Sequence, residues 1–171
     1  MLWKVIKLPK EYLHKYYARE NCSNLNEIFI NNCYENNCKL NNIPKECTIL
    51  NGDKIEECLL DLRKNSADRI IISKKFDGNV INILICELSS GKRKSELIRN
   101  KIQNSSQHII DVFNPSQFEI NNFRCCYIGK YEKYDGLIKS KTPITIKVNG
   151  ISKKIIHIQN HPCGFDFEKL K

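Results

Sequence analysis

The sequence predicts one α/β (α+β) domain, built on a central mixed sheet that is flanked by helices and followed by a C-terminal β-hairpin. Three observations predict it. Short β-branched runs alternate with one long amphipathic helix pattern, the turn dipeptides Asp77-Gly78 and Asn149-Gly150 separate pairs of such runs, and the chain has 171 residues. Because typical domains contain roughly 100–200 residues, we expect residues 1–171 to form a single domain.

The composition is typical of a globular protein and argues against disorder and membrane insertion. Hydrophobic residues make up 41% and charged residues 27% of the chain, whereas disorder requires low hydrophobicity together with high charge. No apolar run approaches the roughly 18–20 residues that span a bilayer, and Lys4 and Lys7 interrupt the N-terminus too early for a signal peptide. We therefore expect a cytoplasmic protein without a membrane partner.

The N-terminal third of the chain predicts a strand and a helix, followed by a region without sustained periodicity. We expect the strand over residues 2–8 and the helix over 10–19, directly after Pro9, because proline is favoured in the first helical turn. Residues 21–51 are rich in asparagine and cysteine. For them we expect either a short helix near 26–34 followed by a loop, or a small insertion held by a metal ion.

A helix and a hairpin are predicted in the middle of the chain. Asp53 followed by Glu56 resembles the capping box that opens a helix, and apolar residues at helical spacing extend this helix over 54–64. Two β-branched runs, 68–72 and 82–86, flank the Asp-Gly turn and predict adjacent antiparallel strands.

The C-terminal half predicts a long helix, a strand and a hairpin. The helix runs from Ser95 to about Asn114, and a strand over 123–129 follows it. Residues 130–171 are expected to form a C-terminal extension, in which an Asn-Gly turn joins strands over 144–148 and 151–158. The apolar face of the helix is formed by Leu97, Ile98, Ile102, Ile109, Ile110 and Phe113.

Two acidic residues stand at neighbouring ends of the predicted antiparallel strands. Asp68 opens the first strand and Glu87 closes the second, so we expect the two carboxylates to converge. Hard oxygen ligands suit Mg²⁺ or Mn²⁺, which activates water in phosphodiester cleavage. Glu56 or Glu57 on the preceding helix is the candidate third ligand, and we favour a metal site at Glu57, Asp68 and Glu87. The alternative is that these acids only solvate the ends of strands.

The same segment resembles the core of the PD-(D/E)XK nuclease superfamily. Eighteen residues separate Asp68 from Glu87, Glu87-Leu88-Ser89 stands in the place of the Glu-x-Lys motif, and an amphipathic helix containing Gln103 follows. The resemblance covers about residues 54–129. It implies a restriction endonuclease-like α-β-β-β-α-β core and a metal-dependent endonuclease that acts on DNA or RNA, in defence or nucleic-acid processing.

Ser89 stands where the superfamily carries its lysine. A hydroxyl lacks the charge that orients the attacking water and stabilises the negative charge of the transition state. We expect Lys92 or Lys94 to enter the site from the following loop, and we favour Lys92, together with Asp68 and Glu87, as the catalytic set. The alternative is a nuclease-fold subunit without catalysis, which binds nucleic acid or a protein partner within a larger complex.

The charge of the chain favours a polyanionic partner. Lysine and arginine outnumber acids by 28 to 19, which gives a formal net charge of +9 and a surface that attracts nucleic acid. A protein partner bound through residues 21–51 is the alternative, and the resemblance also implies homodimers. The residues expected to bind nucleic acid are Lys92, Arg93, Lys94, Arg99, Lys101, Lys139 and Lys141.

The chain contains nine cysteines. In a protein expected to be intracellular, they predict reduced thiols and not a disulfide framework. Cys33, Cys38 and Cys47 include one pair at zinc-ligand spacing, with Cys22 or His14 as a fourth candidate. Because the second close pair of a typical zinc site is missing, we favour structural cysteines over zinc.

Overall fold

The chain folds into four α-helices and eleven β-strands in a computed structural model, which describes residues 5–6, 10–20, 22, 25–35, 37–59, 66–75, 79–93, 95–113, 118–131, 143–148 and 152–170. The helices are α1 (Lys10–Arg19), α2 (Leu25–Ile28), α3 (Gly52–Cys58) and α4 (Ser95–Phe113). The strands are β1 (Val5–Ile6), β2 (Phe29–Ile30), β3 (Tyr34–Glu35), β4 (Cys38–Asn41), β5 (Thr48–Asn51), β6 (Arg69–Lys75), β7 (Val80–Arg93), β8 (Glu119–Tyr131), β9 (Pro143–Val148), β10 (Ser152–His161) and β11 (Phe165–Asp166).

A mixed sheet of eight strands forms the centre of the fold. Its order is β2-β5-β6-β7-β8-β10-β9, and β1 pairs with the end of β6. Strands β2, β5, β6 and β7 pair antiparallel with one another. Strands β7, β8 and β10 run parallel, and β9 pairs antiparallel with β10. Parallel neighbours need a long connection, and α4 supplies it between β7 and β8. The predicted α/β class, a mixed sheet flanked by helices, is confirmed.

Alternating side chains give the sheet two apolar faces. On β6, Ile70 and Ile72 belong to the core under helices α1 and α4, whereas Ile71 belongs to a second core on the opposite face. This follows from the two-residue period of a strand. Each of these isoleucines is at most 2% exposed, and burial of such a side chain contributes roughly 1.5–3 kcal/mol. The continuous apolar run of β6 therefore reflects burial on both faces.

A small second sheet covers the face opposite the long helices. It has the order β11-β4-β3, and its Leu40 and Cys38 pack in one cluster with Leu88, Cys126 and Ile128 of the central sheet. The C-terminal hairpin of β9 and β10 is also part of the architecture, because β10 pairs with β8. Residues beyond 130 therefore extend the central sheet.

The predicted helix over 10–19 is confirmed as α1, whereas the helix near 26–34 is wrong after Ile28. Residues Phe29 and Ile30 form β2, which pairs with Leu50 and Ile49 of β5. Strand pairing with a distant segment overrides the weak local helix signal, as tertiary context often does. The region is instead built from short strands.

Two local predictions around the carboxylates also need correction. Asn51, and not Asp53, caps α3, because the Asn51 side chain accepts a hydrogen bond of 3.1 Å from the Asp53 amide. Strand β7 continues to Arg93, so Lys92 lies in a strand and not in the expected loop. The two predicted turn dipeptides, Asp77-Gly78 and Asn149-Gly150, lie outside the described residues.

Four cysteines form two disulfide pairs. Cys22 pairs with Cys58, and Cys38 pairs with Cys163, each with a Cα–Cα separation of 5.1 Å. The expectation of reduced thiols is therefore wrong for these four residues. That expectation rested on an intracellular location, whereas the fold brings together partners that lie 36 and 125 residues apart in the sequence. Among the described cysteines, five buried ones remain free: Cys33, Cys47, Cys86, Cys125 and Cys126.

Two glutamines of α4 cover the edge of the sheet at β9. Thr145 donates its amide to Gln103 Oε1 at 2.9 Å, and Gln103 Nε2 donates to the Thr145 carbonyl. Gln107 repeats the pattern one turn later with Lys147, at 2.9 and 3.2 Å. Both side chains thus bond the edge as a further strand would, which satisfies its backbone groups and protects it from pairing with another chain. No helix of the described chain is both long and apolar enough to cross a membrane.

We expect Gln103→Glu to lower the free energy of unfolding by about 1–3 kcal/mol, because a carboxylate cannot donate to the part-buried carbonyl of Thr145. Urea unfolding followed by circular dichroism would measure the loss. Gln107→Glu is the matched control, since its interactions are exposed and the same change should cost less than half as much. Equal losses in the two variants would contradict this account.

A half-buried histidine links α1 and α4. His108 Nε2 lies 2.9 Å from the Tyr17 hydroxyl, and burial lowers the pKa of His108 to about 4. The imidazole is therefore neutral in the folded protein, whereas in the unfolded chain it binds a proton at about pH 6.5. The stability that the neutral side chain contributes is present above pH 6.5 and is lost as the pH falls towards 4.

We expect His108→Gln to flatten the decline in stability between pH 6.5 and 4 by on the order of 3 kcal/mol, since an amide cannot charge. Urea unfolding at half-unit pH intervals would measure it. His157→Gln, at an exposed position of β10, should leave the pH dependence as in the wild type. An unchanged slope in His108→Gln would contradict burial of a neutral imidazole.

Candidate functional site

Two buried carboxylates meet where β6 begins, and Glu87 lies in the middle of β7 and not at its end as expected. The register of the pair places Arg69 opposite Cys86, so Asp68 and Glu87 are neighbours across the two strands. The Asp68 amide donates to Glu87 Oε2 at 3.2 Å, and the Leu88 amide donates to Asp68 Oδ2 at 2.7 Å. Asp68 is 4% and Glu87 is 2% exposed. The structure thus brings together the two acids that the sequence singled out.

A lysine from α4 completes this group. Lys101 Nζ lies 2.9 Å from Glu87 Oε1 and 3.9 Å from Asp68 Oδ1. Its side chain is 21% exposed, so the ammonium sits between the buried acids and solvent. The sequence assigned Lys101 to nucleic-acid binding and expected the site cation at Lys92. The structure places the cation on the helix that follows β7.

The spacing on α4 contains a signal for this arrangement. Ser105, one turn after Lys101, accepts a hydrogen bond of 2.8 Å from the Ala67 amide and lies 3.0 Å from the Ser66 hydroxyl. Residues four apart share a helix face, so Lys101 and Ser105 both face the segment that leads into β6. Lys101 could have been singled out from the sequence, because it is a lysine on the sheet-facing side of an amphipathic helix that follows the strand with Glu87.

The backbone of Asp68 is held from two sides. Its carbonyl accepts hydrogen bonds from the Gly52 amide at 2.9 Å and from Arg69 Nη1 at 2.7 Å. Gly52 permits this contact because a Cβ atom there would lie 1.6 Å from the Ala67 carbonyl oxygen. The first residue of α3 and the side chain of Arg69 therefore fix the position of the carboxylate.

Burial makes the acid pair hold a proton. Burial, and then the charge of Asp68, raise the pKa of Glu87 to about 8, while the ammonium of Lys101 opposes the rise. Burial likewise raises the pKa of Asp68, against the Leu88 amide and Lys101. Burial therefore favours a proton shared by the metal-free pair, and a divalent cation that bound to both carboxylates would release it.

Ser89, at the position where the resemblance leads one to expect a lysine, is tightly packed. Ser89 is 2% exposed and pairs with Gly129 on β8. A Cβ atom on Gly129 would lie 2.1 Å from the Ser89 carbonyl oxygen and 3.1 Å from the Tyr127 hydroxyl oxygen. Tyr127, which is fully buried and lies opposite Glu87 in the sheet, thus extends towards Ser89. The ammonium beside the carboxylates comes from α4 and not from β7.

The helix acids do not join the carboxylate pair. Glu57 is exposed and pairs with Lys54 at 2.9 Å, and Lys54 also pairs with Glu27 at 3.2 Å. Glu56 Oε2 instead accepts a hydrogen bond of 3.1 Å from the Ser66 amide. Within the part of the chain that the structure describes, no three His, Cys, Asp or Glu side chains are close enough to hold a metal ion together.

The other predicted residues are dispersed. The backbone of Lys92 and Arg93 lies in β7, and Arg99 is half-buried on α4. Lys94, Lys139 and Lys141 lie outside the described residues.

The three candidate zinc cysteines all lie in the second apolar core but have different partners. Cys38 pairs with Cys163, Cys33 contacts Cys86, and Cys47 lies next to the exposed Glu46.

In comparisons with known proteins, no family model, no curated protein and no solved structure matches the chain. Asp68, Glu87 and Lys101 are thus the residues whose geometry and chemistry indicate a function.

We expect Mg²⁺ to stabilise the wild-type protein at pH 8 and to leave Glu87→Gln unaffected. The raised pKa of Glu87 destabilises the metal-free fold as the pH rises from about 4.5 to 8, so without metal the variant should be more stable at pH 8 by on the order of 2–4 kcal/mol. Thermal unfolding with and without Mg²⁺ would measure both effects.

Glu57→Gln is the control for this measurement, because Glu57 is an exposed acid that pairs only with Lys54 among the described contacts. It should retain the Mg²⁺ effect of the wild type. Loss of the Mg²⁺ effect in Glu57→Gln, with retention in Glu87→Gln, would instead favour the helix acid as a ligand.

Proposed function

We propose that the chain is a metal-dependent endonuclease that cleaves phosphodiester bonds of DNA or RNA in the cytoplasm. Asp68 and Glu87 are the metal ligands in this proposal, and Lys101 is the catalytic cation. One observation carries it: the Lys101 ammonium lies within 4 Å of both carboxylates, although the motif position on β7 holds Ser89. Helix α4 thus supplies the positive charge that the sequence motif on β7 lacks.

The topology supports the proposal. Within residues 54–129, which the resemblance covers, the described elements follow the order α3, β6, β7, α4, β8. Strands β6 and β7 pair antiparallel, and β7 and β8 pair parallel. This is the α-β-β-β-α-β order that the resemblance implies with one strand fewer, and Asp68 precedes β6 while Glu87 lies in β7.

The donor set fits a hard divalent cation. Asp68 Oδ2 and Glu87 Oε2 each accept a backbone amide, which leaves Oδ1 and Oε1 facing Lys101. Lys101 donates to Glu87 Oε1 at 2.9 Å, so Mg²⁺ or Mn²⁺, ions that prefer carboxylate ligands, would bind these two oxygens beside the ammonium or displace it. A bound ion would supply a nucleophilic water and neutralise phosphate charge.

The chain's own residues then divide the remaining work. The backbone amides of Asp68 and Leu88 orient the two carboxylates. Lys101, whose ammonium is the solvent-facing member of the group, stabilises the negative charge that develops on the phosphate in the transition state. Because Lys101 lies on a helix that is packed on the sheet, its ammonium needs little rearrangement to contact the phosphate.

A second candidate function is binding without cleavage. Lys101 already satisfies the buried carboxylates in the absence of a metal, and a buried ion pair of this kind also occurs as a structural feature. In that case the chain is a nuclease-fold subunit, and its net charge of +9 accounts for attraction to nucleic acid.

A cleavage assay on single- and double-stranded DNA and RNA, with Mg²⁺ or Mn²⁺, tests the proposal. We expect Glu87→Gln and Lys101→Met each to lower the cleavage rate by about 100-fold or more, in the range for loss of one transition-state contact. Lys92→Met should cost only a few-fold, through weaker binding. Circular dichroism would verify that each variant is folded.

Two outcomes would contradict the assignment. Strong loss in Lys92→Met with activity retained in Lys101→Met would return the catalytic role to the strand lysine. Metal-independent, salt-sensitive binding without cleavage by the wild type would favour the second candidate.

A further inference from the structure

A buried arginine joins the small sheet to the carboxylate pair on the other face of the central sheet. Arg69, the first residue of β6, is 4% exposed. Because side chains alternate along a strand, Arg69 points to the small sheet while the carboxylate of Asp68 points to α4. The guanidinium donates from Nη1 to the Asp68 carbonyl at 2.7 Å. From Nη2 it donates to the Tyr34 carbonyl at 2.6 Å and to Glu35 Oε2 at 2.8 Å.

Glu35 compensates the buried charge of this arginine. The side chains of Arg69 and Glu35 are 5% and 29% exposed, so the ion pair is largely removed from water. A buried guanidinium that loses its carboxylate partner is strongly destabilised, and the Nε atom of Arg69 already has no hydrogen-bond partner. The position of the Glu35 carboxylate therefore determines where the guanidinium can lie.

The planar guanidinium transmits the position of Glu35 to Asp68. Arginine presents its N–H groups in a rigid fork, so a carboxylate bonded to Nη2 fixes the direction in which Nη1 points. Nη1 points at the Asp68 carbonyl, whose second hydrogen bond comes from the Gly52 amide. Because both lone pairs of that oxygen are occupied, the peptide plane after Asp68 is held, and with it the direction of the Asp68 Cα–Cβ bond. A change at Glu35 is therefore felt at the carboxylate.

The strand that carries Glu35 is itself held in place. Glu35 pairs with Cys38 of β4. Cys38 forms a disulfide pair with Cys163 and packs in one cluster with Leu88 and Ile128 of the central sheet. Strand β3 therefore gives Glu35 a fixed position, as the supporting contacts of a metal ligand require.

We propose that Glu35 is a positioning residue for the metal-binding Asp68. Through Arg69 it holds the Asp68 carbonyl, and with it the carboxylate, in the place that the metal ion requires. This role rests on the proposed nuclease function. Cleavage thus depends on a residue of the small sheet that acts from the opposite face of the central sheet and needs no contact with the substrate.

Amide hydrogen exchange of the full chain without metal, followed by NMR, tests this link. The Leu88 amide donates to Asp68 Oδ2 at 2.7 Å, so its exchange rate reports on the position of the carboxylate. Glu35→Gln keeps the shape of the side chain and removes its charge. We expect it to speed Leu88 exchange by about tenfold or more relative to the amides of β8 and β10, in the range for a lost hydrogen bond to a charged group. Glu35→Asp, which restores the charge, should recover part of the protection.

Asp166→Asn is the matched control. Asp166 also belongs to the small sheet and pairs with Lys169 at 3.2 Å, and its side chain is 29% exposed, as that of Glu35 is. The variant should leave Leu88 exchange as in the wild type. If Glu35→Gln does not fold, Arg69→Lys tests the same link, because an ammonium lacks the fork that bonds Glu35 and Asp68 together, and the same selective loss of protection is expected.

Cleavage assays separate the positioning role from the nuclease proposal. Glu35→Gln should raise the Mg²⁺ concentration for half-maximal cleavage by about tenfold or more, in the range for loss of a supporting contact, while KM for the nucleic acid stays as in the wild type. An unchanged Mg²⁺ dependence, unchanged Leu88 exchange or an equal acceleration of all amides in this variant would overturn the proposal. Selective loss of protection at Leu88 in a chain that cuts nothing would support the link from Glu35 to Asp68 while the nuclease proposal failed.

Discussion

The burial of two carboxylates beside one ammonium is the constraint on which the centre of the structure depends. Buried acids destabilise a fold unless charge or hydrogen bonds compensate for lost hydration. Here the amides of Asp68 and Leu88, the ammonium of Lys101 and the raised proton affinity of the acid pair share that compensation. This polar group therefore constrains both the register between β6 and β7 and the packing of α4 against the sheet.

Strand alternation divides the chemistry between the two faces of the sheet. Asp68 points with Ile70 towards α4, whereas its neighbour Arg69 lies on the side of the small sheet and reaches Tyr34 and Glu35. A single dipeptide thus touches both layers. The free thiols Cys86 and Cys126 lie on the second face, and burial raises the pKa of Cys86, so these thiols are packing groups and not nucleophiles.

How far the sequence predicts the molecule depends on whether a feature is local. Helices α1 and α4, the strands of the central hairpin and the convergence of Asp68 with Glu87 follow from periodicity and turn chemistry within short segments. The strand at Phe29 and the disulfide partners depend on contacts with distant segments, which no local pattern specifies. Lys101 was recognised as basic, yet its place beside Glu87 follows from the packing angle of a helix, which a one-dimensional pattern does not contain.

The hydrogen bonds of Gln103 and Gln107 on α4 with strand β9 also affect the position of the Lys101 ammonium. Lys101 and Gln103 are two residues apart on one rigid helix, and a rotation of α4 by one residue, about 100°, would break all four amide contacts with Thr145 and Lys147. Strand β9 therefore holds α4 in one rotational position. The contacts of Gln103 and Gln107 with β9 thus fix the rotation of α4 about its axis, and with it the direction from which Lys101 contacts the carboxylates.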